Sequence, residues 1–600
     1  MTEYRAPVED MRFVIEEIAG LADVNALPGY EDATPDLVAA ILEEAGKLGT
    51  EVLSPLNKPG DEAGCVYENG VVRTPDGFKE AYRQFIEGGW NAIPFDPEYG
   101  GQGLPWLVSM AVGETVQAAN MSFGLCPLLT QGAIELLSHH GSEELKGVFL
   151  ERLVSGEWNG AMNLTEPQAG SDLARVRTKA ERGGDSYRIS GTKIFITYGE
   201  HDFTDNIVHL VLARTPDAPP GIKGISLFVV PKFLVNEDGS LGARNDLRCV
   251  SIEHKLGINA SPTAVMSFGD NDGAVGYLVG EENCGIQYMF TMMNNARLTV
   301  GLQGVAIAER AYQHARDYAV ERVQSRMLGS DDPDPVTIVH HPDVKRMLLS
   351  MKCQTEASRA LAYWVAAQID HSKHNPDPDQ RLKAQAMVDL MTPVVKAWSS
   401  DIGIEVAGTG IQVFGGMGFI EESGAPQHWR DARITAIYEG TNGIQANDLV
   451  GRKIGREGGE SITQLISEIR DFEAELRASE SKGLAELAEV FSRAINALER
   501  ASKWIVETYP ADPVPAAAGA VPFLRLLGIV SGGWLLLKSA LIAEERLDTG
   551  TGNPVYLGGK VLSARFFADH MLVQTDGLAQ TVIGGSGSVK DIRLEHLSAS

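Results

Sequence analysis

A chain of 600 residues, 44% of them apolar, holds enough material for several domains and a large core. Its 80 acidic residues against 52 basic ones leave a formal charge of -28, which argues against nucleic acid or an anionic membrane as a general partner and leaves room only for a local basic site. Five scattered cysteines (Cys65, Cys126, Cys249, Cys284, Cys353) form no C-x-x-C pair and read as reduced thiols, and the N-terminus lacks a signal-like apolar run, so a cytoplasmic protein is expected.

Residues 1–158 carry Ala, Leu, Glu and Met at helical spacing, as in "PDLVAAILEEAGKLGTEVL" (35–53), and are interrupted by the loop "NAIPFDPEYGGQGLP" (91–105). From about 159 to 283 the texture changes to short strand-like runs, among them "DSYRISGTKIFIT" (185–197), "NIVHLVLART" (206–215), "GISLFVVPK" (224–232) and "TAVMSFGD" (263–270). Set between Gly, Pro and Asp clusters, they predict an antiparallel β domain. Helical patterning returns over 284–455, with one proline-free run predicted to extend over 287–326. A Gly-rich break at 455–461 introduces a further helical unit, 456–600, with a loop predicted at 509–519. The apolar stretch 521–543 is cut by Arg525 and Lys538 and reads as a buried helix rather than a membrane span. The fold class is therefore mostly α with a central β domain.

No His is followed by Glu and no phosphate-binding P-loop occurs, so no metal site is expected. "GTGIQVFGGMGF" (408–419) lacks the spacing of a Rossmann fingerprint and reads equally as close helix packing. "MNLTEPQAGSDLARVRT" (162–178) offers hydroxyls and backbone N–H groups to a ligand, or is simply a capped loop. Glu439, in "RDARITAIYEGTNGIQ" (430–445), taken alone reads as a surface acid or a capping residue.

In order along the chain, "EYGGQG" (98–103), "LTEPQAGSD" (164–172), "FITYG" (195–199), "HKLGINASPT" (254–263), "RDYAVERVQSR" (316–326), "VFGGMGF" (413–419) and "RDARITAIYEGTNGIQ" resemble the acyl-CoA dehydrogenase family. The resemblance covers about 35–455. It implies an N-terminal helical domain (1–158), a β domain (159–283) and a four-helix bundle (284–455), with 456–600 as an additional helical domain.

It further implies FAD-dependent oxidation of an acyl-CoA to its trans-2-enoyl product, with Glu439 abstracting the α proton and the β hydride passing to flavin N5. Glu439's own N–H would donate to the thioester oxygen, and a desolvated pocket should raise its pKa. No second base is offered, since Ala296 stands where a family variant carries one. The implied FAD contacts are Leu164, Thr165, Gly170, Ser171, Phe195, Ile196, Thr197, Arg322 and Thr441, with Gln412, Gly415 and Gly416 reaching the adenosine half, from a neighbouring subunit. The implied substrate contacts are Ser171, Arg297, Tyr438 and Gly440, the last by letting the thioester lie close to the backbone. Ser325, Asn294 and Gly443 depart from the family pattern and put the adenine and pantetheine contacts in question.

The added tail is similar to that of very-long-chain enzymes and of a bacterial branch that includes 3-methylmercaptopropionyl-CoA dehydrogenases. The acidic stretch 457–481 disfavours membrane docking, and "HKLGINASPTAVMSF" with "YRAPVEDMRFVI" favours the bacterial branch. The expected substrate is 3-(methylthio)propanoyl-CoA or another short or medium acyl-CoA, with long-chain or dicarboxylyl-CoA as the alternative. The expected partners are an electron-transfer flavoprotein and a second copy in a homodimer. An acyl-CoA oxidase stays open, whereas a DNA-associated homologue is opposed by the tail's 19 acidic against 14 basic residues.

Overall fold

The computed structural model describes residues 4–598. Its N-terminal third is helical, and the Trp106–Ala119 and Met121–His140 helices are buried on nearly every face. Helices so apolar all round belong in the centre of a molecule rather than at its surface. Both pack against the long helix Gly285–Glu321. A two-stranded hairpin, β1 (Val66–Glu68) and β2 (Val71–Arg73), interrupts this region, where the sequence pattern predicts only helix and loop. Its turn is Asn69–Gly70, both at positive φ, the pairing that two-residue hairpin turns require. Val72 and Tyr67 pack into the core of the β domain, so the hairpin extends that domain by contact.

The β domain is built on an eight-stranded sheet in the order β10-β11-β5-β12-β7-β6-β3, with β4 also paired to β5. These strands are β3 (Asn159–Asn163), β4 (Lys179–Gly183), β5 (Ser186–Thr197), β6 (Ile207–Ala213), β7 (Ser226–Pro231), β10 (Leu247–Ile252), β11 (Thr263–Phe268) and β12 (Ala274–Leu278). A separate pair, β8 (Phe233–Val235) and β9 (Leu241–Arg244), lies between them in the chain. The sheet is antiparallel except for β3, which runs parallel to β6. That corrects the purely antiparallel expectation: β3 enters directly from the helical domain, and the long excursion through β4 and β5 lets β6 come back alongside it in the same direction.

Three long helices, Gly285–Glu321, Pro342–His374 and Pro378–Phe414, form the body of the next domain. The first ends at Glu321 rather than running on to 326. Residues Val323–Arg326 form β13, paired with β14 (Pro335–Thr337), and exposed Ser325 sits at φ +60. The fourth side of the bundle is formed by Ala425–Ala432 and by Asn442–Asp448, which continues without a break into the π-helical Leu449–Gly455.

The tail is helical, and 513–518 within the predicted loop is a short helix capped by Asp512. Its central helix, Ala520–Thr549, is long and apolar enough to cross a membrane, but 89% of its apolar window is buried inside the protein. It packs on the bundle through Gly528 and Gly532, where a Cβ would fall within 2.4 Å of the Trp398 ring. Bare glycines are what allow the tryptophan to lie against the helix backbone.

Candidate active site

The helix Ala425–Ala432 runs into a single 3-10 turn, Arg433–Ala436; the chain then reverses and restarts as Asn442–Asp448. Thr441 caps this last helix, its Oγ1 accepting from Ile444 N at 3.3 Å. The reversal places Glu439 at φ +55 and Gly440 at φ +85. Left-handed backbone costs a residue with a Cβ about 1 kcal/mol or more, and such strain gathers at functional sites. Gly440 avoids that cost, and any Cβ there would sit 2.7 Å from Gln445 Nε2. Both carbonyls of the pair are held: Gln445 Nε2 donates to Glu439 O at 3.2 Å and Lys396 Nζ to Gly440 O at 2.8 Å.

The half-buried Glu439 carboxyl receives no hydrogen bond among the described residues. Burial pushes its pKa up to about 7, against the pull of Arg297 and then Lys396. Arg297 is 6% exposed on the Gly285–Glu321 helix, and its Nε has no partner among the described residues. The Tyr438 hydroxyl donates to Gln303 Oε1, and Gln303 in turn donates to Gln117 at 3.2 Å. That hydroxyl is tied into the interior, so a substrate contact from Tyr438 would have to use its ring or backbone.

The candidate cofactor residues of the β domain are brought together by an ion pair that the sequence reading missed. Lys193, fully buried in β5, donates to Glu166 Oε1 at 2.8 Å and to the Leu164 carbonyl at 3.0 Å. Glu166 also accepts from Arg177 N, Thr178 N and the Thr178 hydroxyl at 2.8, 3.1 and 2.6 Å. Burial raises the Glu166 carboxyl, but Lys193 and these hydrogen bonds outweigh it and hold it down at about 2. Ile194 N donates to Thr165 O at 2.9 Å, completing the attachment of loop to strand. The available signal was the charge of Lys193 at an inward position of an alternating strand.

Beside this joint Phe195 stands at φ +60 and is 60% exposed, an unusual setting for an aromatic ring. Ile196 is different: its side chain belongs to the β-domain core and is 2% exposed. Thr197 pairs with Thr263 across to β11. Gly170 and Ser171 lie exposed on the loop, and a Cβ at Gly170 would meet nothing within 4 Å.

Arg322, Gln412, Gly415 and Gly416 form no hydrogen-bonded group with either cluster among the described residues. Arg322 is exposed at the end of its helix, its carbonyl accepting from Ile338 N at 2.7 Å. Gln412 lines a crevice of about 490 Å³ with Arg346, Ser350, Arg525 and Gln574, the last two from the tail. Gly415 (φ +62) and Gly416 lead from there to Met417 and Phe419, which are 47% and 88% exposed.

An exposed ring, open glycines and the partly exposed Thr165 suit a flat, partly apolar cofactor. With a half-buried carboxyl of raised pKa acted on by two cations, the arrangement suits proton abstraction by a carboxylate and the binding of an organic cofactor.

The chain belongs to the acyl-CoA dehydrogenase family. The patterns described as acyl-CoA dehydrogenase N-terminal, middle and C-terminal domains match residues 65–157, 161–271 and 283–454, and one described as acetyl-CoA dehydrogenase C-terminal like matches 465–593. It is 51% identical to 3-methylmercaptopropionyl-CoA dehydrogenase of Ruegeria pomeroyi, over 95% of this chain and 96% of that one. It is 35% identical to a butyryl-CoA dehydrogenase of Syntrophomonas wolfei, over 99% and 98%. An acyl-CoA dehydrogenase from Bacillus anthracis, solved complexed with FAD, shares the fold with a TM-score of 0.73 at 20% identity, over 97% of this chain and 92% of that one. The tail thus lies within the shared fold.

Proposed function

We propose that this acyl-CoA dehydrogenase oxidises 3-(methylthio)propanoyl-CoA, or another short or medium acyl-CoA, to its trans-2-enoyl thioester, with Glu439 as the base. The observation that carries the assignment is the Glu439 carboxyl itself: half-buried, unbonded, raised to about 7 and facing Arg297 and Lys396. Such a group accepts a proton near neutral pH, and a positioned base contributes about 10²–10⁴-fold. Breaking the α C–H bond leaves its electron pair on the substrate and its proton on Glu439. The Glu439 N–H, presented by the left-handed turn, donates to the thioester oxygen and stabilises that charge.

Bound FAD supplies the acceptor for the β hydride. Leu164, Thr165, Phe195 and Thr197 would hold its ring, with Ile196 contributing backbone only, and Gly170 and Ser171 would flank it. Arg322 and Thr441 would contact the pyrophosphate. Gln412, Gly415 and Gly416 serve the adenosine half bound by a second copy; the exposed Phe419 and Met417 support that homodimer, since such apolar surface is ordinarily covered. Ser171, Arg297, Tyr438 and Gly440 face the CoA ester.

The substrate choice is supported by the 51% identity to the Ruegeria pomeroyi enzyme. The chain divides at 158, 283 and 455. A cytoplasmic location and an electron-transfer flavoprotein as oxidant complete the reading.

The test is the flavin absorbance of the purified protein during anaerobic addition of 3-(methylthio)propanoyl-CoA. Rapid bleaching that Glu439→Gln abolishes is expected. An oxidised flavin overturns the substrate, and one that no acyl-CoA bleaches overturns the reaction. Peroxide formed in air without a flavoprotein acceptor would favour the oxidase reading.

A further inference from the structure

Lys396 is fully buried on the Pro378–Phe414 helix. A buried ammonium loses its hydration, and a leucine or methionine at this place would pack at no such cost. What Lys396 touches explains its presence. Nζ donates to the Gly440 carbonyl at 2.8 Å and to Asn442 Oδ1 at 2.9 Å. Asn442 Nδ2 donates to Ala397 O at 3.1 Å, Ser400 Oγ at 3.0 Å and Asp401 Oδ1 at 2.7 Å. One helix therefore grips the residues on both sides of Thr441 and, with Gln445, fixes both carbonyls of the Glu439–Gly440 turn.

The charges around this point come from several elements. Glu439 faces Lys396 from the turn, and Asp401 faces it from its own helix, with its carboxylate engaged by Asn442. Glu405 and, from the tail, Arg525 act on Asp401. Arg297 is the other cation facing Glu439, and it is balanced by Asp448 beside Arg452. Glu439 thus has a cation on each of the two long helices it packs between, and only Lys396 is also bonded to its backbone turn.

We infer that Lys396 is a positioning residue for the Glu439 base: its hydrogen bond to Gly440 holds the left-handed turn, and its ammonium acts with Arg297 on the carboxyl. This rests on the reading of Glu439 as the base. The titrations agree with the geometry. Burial lowers the Lys396 ammonium and raises the Glu439 carboxyl, and each of the two charges opposes the shift of the other. Removing the ammonium leaves the half-buried carboxyl with one cation fewer and moves its ionisation to higher pH.

Lys396→Gln keeps N–H donors for Gly440 and removes the charge. The experiment follows two readouts across pH 5–9: first-turnover bleaching by 3-(methylthio)propanoyl-CoA and by butanoyl-CoA, and the infrared carboxyl signal of Glu439 without substrate, with Glu439→Gln as the blank. Lys396→Gln is expected to raise both midpoints by about one pH unit, making bleaching about tenfold slower below the midpoint, with acyl-CoA affinity little changed. Lys396→Arg restores the midpoint.

Asn442→Ser leaves both charges and removes one acceptor from Nζ, together with the amide donors to Ala397, Ser400 and Asp401. Its midpoint should stay in place while bleaching slows several-fold, and this variant carries the test if Lys396→Gln fails to fold. Midpoints in Lys396→Gln that superimpose on those of the wild type, or an Asn442→Ser rate equal to that of the wild type, overturn the inference while leaving an inactive Glu439→Gln, and hence the base, intact. A Glu439→Gln enzyme that bleaches normally removes the base and this inference together.

Discussion

Asp10 and Lys560 lie 550 positions apart and meet at 2.5 Å, one on the first described helix and the other on the tail helix Pro554–His570. Arg359 takes the other Asp10 oxygen at 2.7 Å and also binds Glu114 and Glu309, all of them buried. The tail is therefore fastened to the catalytic body through its interior charges. Removing one member of such a cluster strands the others without water. Lys560→Met should cost about 3–5 kcal/mol, read as a fall in the denaturation midpoint. Burial raises the Asp10 carboxyl, but Lys560 and then Arg359 outweigh it and hold it below its ordinary 3.8. This stabilisation is thus complete above pH 4 and is lost only as the pH falls further, so the Lys560→Met deficit should be constant across pH 5–8.

Glu439 has the opposite sign. Its pKa is raised from 4.5 to about 7, so protonation in the folded state favours folding below pH 4.5, and that contribution is lost as the pH climbs through about 7. Glu439→Gln should therefore melt higher than the wild type at pH 8 and much closer to it at pH 5. The bleaching rate of the wild type should rise with pH through a midpoint near 7.

Lys193→Met leaves Glu166 buried beside the Leu164–Thr165 loop without its cation. The loss should be about 3–5 kcal/mol. Because the same lysine holds the Leu164 carbonyl, the variant should also be purified with less flavin, measured as the ratio of visible to protein absorbance.

Gly440→Ala must place a Cβ at φ +85, 2.7 Å from Gln445 Nε2. The expected cost is about 1–2 kcal/mol of stability. The turn should shift, and bleaching should slow far more than the change in melting temperature alone would suggest. Retained bleaching at the wild-type rate would show that the turn tolerates displacement.

The local patterns were readable because they are local. Helical spacing over 35–53, strand alternation at 185–197 and the ordered loop motifs need only near neighbours in the chain. Even the hairpin at 66–73 carried its signal, Asn69–Gly70 between apolar pairs, although the surrounding helical texture hid it. The position of Glu439 within a family motif was legible in the same way.

By itself, then, the sequence determined the helical and β regions, the family and a candidate carboxylate, because periodicity, turn chemistry and motif order are properties of neighbouring residues. Only the tertiary structure decided that β3 lies parallel to β6, that the long helix stops at Glu321, that Lys193 meets Glu166 and that Lys396 meets Gly440. The same is true of the rise of Glu439 to about 7. Each depends on groups far apart in the chain arriving within a few ångströms of one another, and burial and charge act through space rather than along the sequence.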